Sequence, residues 1–195
     1  MHSTFLILTV LQGFISQFIG IYAIFKGTYK PQRMTRFIYL LMSALFIATL
    51  IAQGSTDALF LAVMNGLGTL CIFLLSFKYG VGGTNKLDIV TFFGFLISLI
   101  AWKLTSNPTV GLYLSILTDL IGFIPTIEKT WRQPHTEDWR FYFSDILAGG
   151  FSTLSVRSYS LANLAFPLYI FFLNGFAVML ILIRGKAVRT TTPND

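Results

Sequence analysis

The chain has 195 residues, of which 54% are hydrophobic and only 11% charged, and carries a formal net charge of +6. Soluble domains carry about 25% charged residues, so this composition excludes a water-soluble globular fold and, with it, a nucleic-acid role for the positive charge. Mean hydropathy is +0.71, as expected of a polytopic membrane protein whose partner is the lipid bilayer.

Apolar runs long enough to cross a hydrocarbon core of about 30 Å fall at 3–26, 35–53, 57–77, 88–104, 109–127, 139–156 and 160–183. The expected fold is an all-α integral membrane bundle of seven transmembrane helices. The first span opens "MHSTFLILTVLQGF" with no Lys or Arg ahead of the apolar run, which predicts a retained helix rather than a cleaved signal peptide. It carries Gln17, and "KPQ" follows it at 30–32, where Pro31 is expected to stop the helix. The second span holds Ser43. The third holds Asn65 and the single cysteine, Cys71, which permits no intramolecular disulfide and reads as a small packing residue.

The glycine-rich "YGVGGTN" that follows has no strand before it and no Gly-Lys-Ser/Thr, so it predicts a flexible turn, not a phosphate loop. Span four ends at Trp102-Lys103, and span five carries Asp119 and Pro125. Trp102, Trp131 and Trp139 read as interfacial anchors. Between spans five and six, Glu128, Glu137 and Asp138 mix with Lys129, Arg132 and Arg140 around His135, either as solvated charge or as ion pairs that close a gate. Asp145 and Ser152 lie in span six and Asn174 in span seven. Such short loops leave no room for a soluble domain, so function is expected within or between the helices.

Of the fourteen Lys and Arg, all but Lys103 and Arg157 fall on one side of this arrangement. The positive-inside rule then predicts an outward N-terminus and a cytoplasmic C-terminus. Counting at 1.5 Å per residue places several polar groups deep in the bilayer. Asp119 is about 13 Å in from Glu128, Asn174 about 15 Å from Arg184, and Asn65 about 12 Å from Asp57. Gln17 sits at a similar depth to Asp119; Asp145 and Ser43 are shallower. A carboxylate at such depth is costly unless it meets a donor, a cation or water, which makes Asp119 and Asp145 site candidates and proton-coupling candidates. Asp145 shares a helical face with Gly149 and Ser152. Interhelical hydrogen bonding is the plainer reading of the same residues.

Sliding the sequence by 102 residues sets Ser16–Tyr39 against Thr118–Phe141, with Ile19/Ile121, Gly20/Gly122 and Thr28/Thr130 identical and Tyr39/Phe141 similar. "VMNGLGTLCI" in span three also matches "FLNGFAVMLI" in span seven. The predicted organisation is a first three-helix bundle with its loop (1–87), a linker helix (88–108), a second three-helix bundle (109–185) and a tail (186–195). Units related in this way lie parallel, about an axis along the membrane normal.

This 3+1+3 pattern, with an asparagine in the third helix of each repeat and "GFIPTIEKTWRQPHTEDW" in the second, resembles the SWEET and PQ-loop superfamily. Pro125-Thr126 stands where the family has Pro-Gln, and the first repeat has Ala23-Ile24 there. The resemblance implies alternating access at a midplane site, with Asn65 and Asn174 binding solute. The tryptophan that some sugar carriers set opposite such an asparagine has no clear match. Gln17, Asp119, Asp145, Ser43 and Ser152 complete the expected substrate site, and Pro125 is the expected hinge.

The function expected is transport of a small polar solute, either coupled to protons, as for an amino acid, or as a sugar facilitator. A receptor or assembly protein of the same fold is the alternative. No enzyme activity, cofactor or metal site is expected, because the few acidic groups lack a base, a nucleophile or metal ligands. A homo-oligomer is compatible with the sequence, and the short loops fit a bacterial inner membrane.

Overall fold

Each apolar run forms a helix in the computed structural model, which describes residues 2–134 and 137–191, with side chains as far as residue 186. His135, at the centre of the charged loop, and the end of the tail lie outside the described residues, as does the side chain of Arg189. In chain order the elements are α1 (His2–Phe25), α2 (Arg33–Ala52), α3 (Thr56–Tyr79), α4 (Lys86–Thr105), α5 (Pro108–Arg132), α6 (Trp139–Ser155) and α7 (Leu161–Thr191). Six are long and apolar enough to cross a membrane; α6, at 17 residues, is the short one. No strand occurs among the described residues, where the only β feature is an isolated bridge between Gln32 and Val81. The protein is a membrane-embedded helical bundle.

Helices α5 and α7 continue past the apolar limits expected at 127 and 183. Their extensions, "EKTWR" and "RGKAVRTT", carry Glu, Lys, Arg and Ala, good helix formers, and need no hydrocarbon around them. The stop assigned to Pro31 is corrected. Helix α1 ends at Phe25, and Gly27 adopts a left-handed φ of 73° while the N–H of Thr28 returns to the Ala23 carbonyl. That is the cap a glycine supplies, four residues ahead of the proline. Pro31 has another role: its carbonyl accepts the Val81 N–H at 3.0 Å, and Arg33 N–H returns to the Val81 carbonyl at 3.0 Å. These bonds tie the α1–α2 loop to the glycine-rich turn after α3.

The surface pattern is inverted relative to a soluble bundle. On α1, Ile7, Leu11, Phe14, Phe18 and Phe25 point outward, while Thr9, Gly13, Ser16 and Gly20 are buried. Lipid tails are as apolar as leucine, so close backbone approach and satisfied hydroxyls hold the helices together instead of segregation of apolar area. Several buried hydroxyls bond within their own helices: Thr9 to Phe5 O at 2.9 Å, Thr49 to Leu45 O at 2.9 Å and Ser115 to Gly111 O at 2.7 Å. Cys71, expected to pack inside, is exposed on the outer face of α3.

Neighbouring helices close a ring in the order α1, α3, α2, α5, α7, α6 and back to α1. Helix α4 lies outside that ring against α5 and α2. Exchanging α1 with α5, α2 with α6 and α3 with α7 returns the same ring of neighbours. Helices α1 and α6 run antiparallel, with Phe5 stacked on Phe151 at 6.3 Å and Ser144 bonded to Gln12 at 3.1 Å. Helices α6 and α7 approach tightly at Gly149, where an added Cβ would stand 2.9 Å from Phe171 N and 3.0 Å from Pro167 O.

The main apolar core lies toward the end of the bundle away from the basic residues. Phe46 and Leu50 of α2, Leu61 of α3, Leu112 of α5 and Phe166 of α7 are buried there in one cluster. The Phe46 and Phe166 rings meet at 4.9 Å between centroids, joining α2 to α7.

Candidate functional site

At the basic end the ring of helices encloses a cavity of about 550 Å³. Concave sites for small molecules span roughly 300–1,000 Å³. Its walls come from both sides of the ring: Gly20 of α1, Arg36 and Tyr39 of α2, Gly122 and Pro125 of α5, and Phe141 and Tyr142 of α6. The remaining side is closed by the start of α4, where Asp88 also faces the cavity.

Two rings floor this space. The Tyr39 hydroxyl donates to the Gly122 carbonyl at 2.9 Å, and a Cβ on Gly122 would lie 3.5 Å from the Tyr39 ring. A Cβ on Gly20 would lie 3.4 Å from the Phe141 ring. Tyr39 and Phe141, like Gly20 and Gly122, are separated by 102 residues, the spacing found in the sequence. In both places an aromatic ring lies beside a glycine of a neighbouring helix, α2 over α5 and α6 over α1, at a distance where an added Cβ would make ordinary contact.

The deep polar residues form the next layer. Gln17 and Asp119 lie three residues beyond Gly20 and Gly122, and Ser43 and Asp145 four beyond Tyr39 and Phe141, all away from the basic end. One helical turn is about 5 Å, so the aromatic floor stands between the cavity and the four residues singled out by depth. None of Gln17, Ser43, Asn65, Asp119, Asp145, Ser152 and Asn174 lines the cavity; Pro125 does.

Among these residues only Gln17 and Asn65 bond to each other; the rest do not converge. Gln17 Nε2 donates to Asn65 Oδ1 at 3.4 Å, bridging α1 and α3 across Gly68, whose lack of a side chain makes room for the glutamine. Asp119 accepts a hydrogen bond from the Tyr169 hydroxyl of α7. Ser43 donates to Tyr39 O at 2.9 Å and buried Asn174 to Ile170 O at 2.8 Å, each within its own helix. Asp145 faces Ser16 of α1 without hydrogen-bond geometry; Asp145 Oδ1, Ser16 Oγ and Ser152 Oγ have no hydrogen-bond partner among the described residues.

Three residues that pattern reasoning did not single out as site residues matter here. Tyr169 supplies the donor for Asp119. Asp88 caps α4 in a reciprocal box with Asn85 and accepts from Thr35 Oγ1 at 2.7 Å and Gln32 Nε2 at 3.2 Å. The "NKLD" ahead of an apolar run is the sequence signal for such a box. Arg36 projects into the cavity, donates to Tyr29 Oη and lies against the Tyr29 and Tyr39 rings at 5.3 and 5.6 Å. Near the cavity mouth Lys129 pairs with Glu137 at 2.9 Å, and Tyr142 Oη donates to Glu137 at 2.8 Å. Arg132 pairs with Glu128 at 2.8 Å on the exposed surface.

Fold and site thus define a helical membrane protein with a polar cavity open at one end and an apolar seal at the other. The chain matches no family model, no curated protein and no solved structure.

Proposed function

We propose that this protein is a small-solute membrane transporter in which two parallel three-helix units, α1–α3 and α5–α7, rock about a central axis with α4 as their linker. The observation that carries the reading is the cavity between the two units, open at the basic end and closed at the other by the Phe46–Phe166 cluster. A binding protein needs only a pocket; a carrier also needs a barrier that can change sides. Matching Tyr39–Gly122 and Phe141–Gly20 contacts, 102 residues apart in the chain, support the duplicated organisation in this reading. In this reading the basic end is cytoplasmic, as the distribution of Lys and Arg requires in a bacterial inner membrane.

Rocking the units apart at Tyr39 and Phe141 would join the cavity to the layer of Gln17, Ser43, Asp119 and Asp145. Asp119, held by Tyr169 one turn beyond the floor, is the candidate proton carrier, and Pro125, which deprives the Ile121 carbonyl of its helical donor, is the candidate hinge.

The test is uptake by proteoliposomes containing purified protein, across amino acids, organic acids, sugars and nucleosides, at several imposed pH gradients. Saturable uptake is expected for one solute class, and Asp119→Asn is expected to remove its pH dependence. Ligand binding with no flux for any class would replace transport by the receptor reading.

A further inference from the structure

The charges around the cavity do not cancel locally. Its acids are already engaged: Asp88 accepts from Thr35, Gln32 and Asn85 N–H, Glu137 pairs with Lys129 and Tyr142, and Asp138 accepts the Arg140 N–H at 2.9 Å as the cap of α6. Among the described residues no carboxylate lies within ion-pair distance of Arg36; Asp119 reaches it only through its longer-range field. The Arg36 guanidinium has five N–H donors, and among the described residues only Tyr29 Oη accepts one. It stands one turn nearer the mouth than Tyr39, so its unused donors face the open cavity above the aromatic floor.

Resting on the transport reading, we propose that Arg36 is the anchor for a carboxylate and that the solute is a small organic acid with a flat or apolar body. A guanidinium binds a carboxylate through two parallel hydrogen bonds, a geometry that lysine cannot reproduce. Tyr39, Tyr142 and Phe141 then offer ring faces to the remainder of the solute, and Ile19, Ile38 and Ile72 offer aliphatic wall. The Tyr29 hydroxyl and the two ring faces fix the guanidinium in place before ligand arrives, which lowers the ordering cost of binding. A sugar or nucleoside would leave the arginine donors facing only neutral hydroxyls. A cationic solute would meet like charge at Arg36.

The probes are benzoate and benzamide, which share a shape and differ in charge, titrated into the purified full-length protein by calorimetry and by tryptophan fluorescence, to which Trp139 at the cavity wall contributes. Benzoate is expected to bind at least about tenfold more tightly than benzamide, as a charge-assisted bidentate pair requires. Arg36→Gln is expected to remove that preference and Arg36→Lys to restore only part of it. Arg132→Gln, outside the cavity, serves as the control and keeps the preference. Should Arg36→Gln fail to fold, the wild-type comparison still decides: equal binding of the two probes, or none of either, overturns the assignment. Inorganic phosphate binding as tightly as benzoate would also overturn it, by showing that any anion suffices. The flux assay separates the two readings: benzoate binding without carboxylate uptake removes transport and leaves the site, whereas saturable uptake of a neutral solute by protein indifferent to benzoate removes the site and leaves transport.

Discussion

Replacing Gly149 by alanine puts a methyl group 2.9 Å from Phe171 N and 3.0 Å from Pro167 O. Both are backbone atoms of α7, so no rotamer change relieves the contact and the two helices must separate. Overpacking of this kind costs typically 1–3 kcal/mol, set against about 1 kcal/mol that alanine returns through helix propensity. Two other glycines calibrate the measurement. A Cβ on Gly150 meets only the Phe171 side chain at 3.6 Å, ordinary contact, and one on Gly175 meets nothing within 4 Å. Gly150→Ala and Gly175→Ala should therefore match or exceed wild type in stability. Gly149→Ala should fall about 1–3 kcal/mol below Gly150→Ala, its neighbour in the same helix. Reversible unfolding in mixed micelles, followed by far-ultraviolet circular dichroism, reads all three. Equal stability of the two neighbouring variants would refute the claim that α6 and α7 meet backbone to backbone.

Phe46→Ala and Phe166→Ala each remove half of the apolar seal; each should cost about 3–5 kcal/mol and raise passive leak of small solutes into proteoliposomes, and a destabilised variant without leak would show that the seal lies elsewhere. Tyr169→Phe leaves Asp119 without its donor and should cost about 1–3 kcal/mol, most of which should disappear when Asp119→Leu is added, as a double-mutant cycle in the same unfolding assay will report. Asp88→Ala strands the Thr35 and Gln32 donors together with the α4 cap and should cost about 3 kcal/mol, with Asp88→Asn intermediate; a loss for Asp88→Ala with none for the isosteric Asp88→Asn would assign the effect to packing. Cys71 should react in membranes with an apolar maleimide and resist a charged one, and labelling by the charged reagent would place it in water.

Helix positions were legible because apolar run length and the spacing of basic residues act over whole segments. The errors lie where a single residue acts locally. Gly27 and Pro31 both signal helix termination, and only geometry shows that the glycine ends α1 while the proline joins two loops. Depth counting singled out Gln17, Asp119 and the shallower Asp145, with Ser43 at the matching place in the first repeat. It did not reveal that Gln17 turns to Asn65 and Asp119 to Tyr169, because partners fifty residues away along the chain leave no periodic trace. Arg36 entered the sequence reading only as one of many charges fixing orientation. That it turns inward over two tyrosines depends on how α2 is rotated about its axis, and a helix with no solvent-facing stripe carries little information about that rotation.

The Phe46–Phe166 seal also determines where an electric field would act. Water in the cavity would carry the potential of the bath at the basic end inward as far as the aromatic floor. A membrane potential would then fall chiefly across the thinner apolar layer beyond that floor, instead of evenly over the full bilayer. A charge crossing the whole of that drop changes energy by about 2.3 kcal/mol per 100 mV. Charge movement at the depth of Asp119 would therefore lie inside the focused field, and movement at Arg36 outside it.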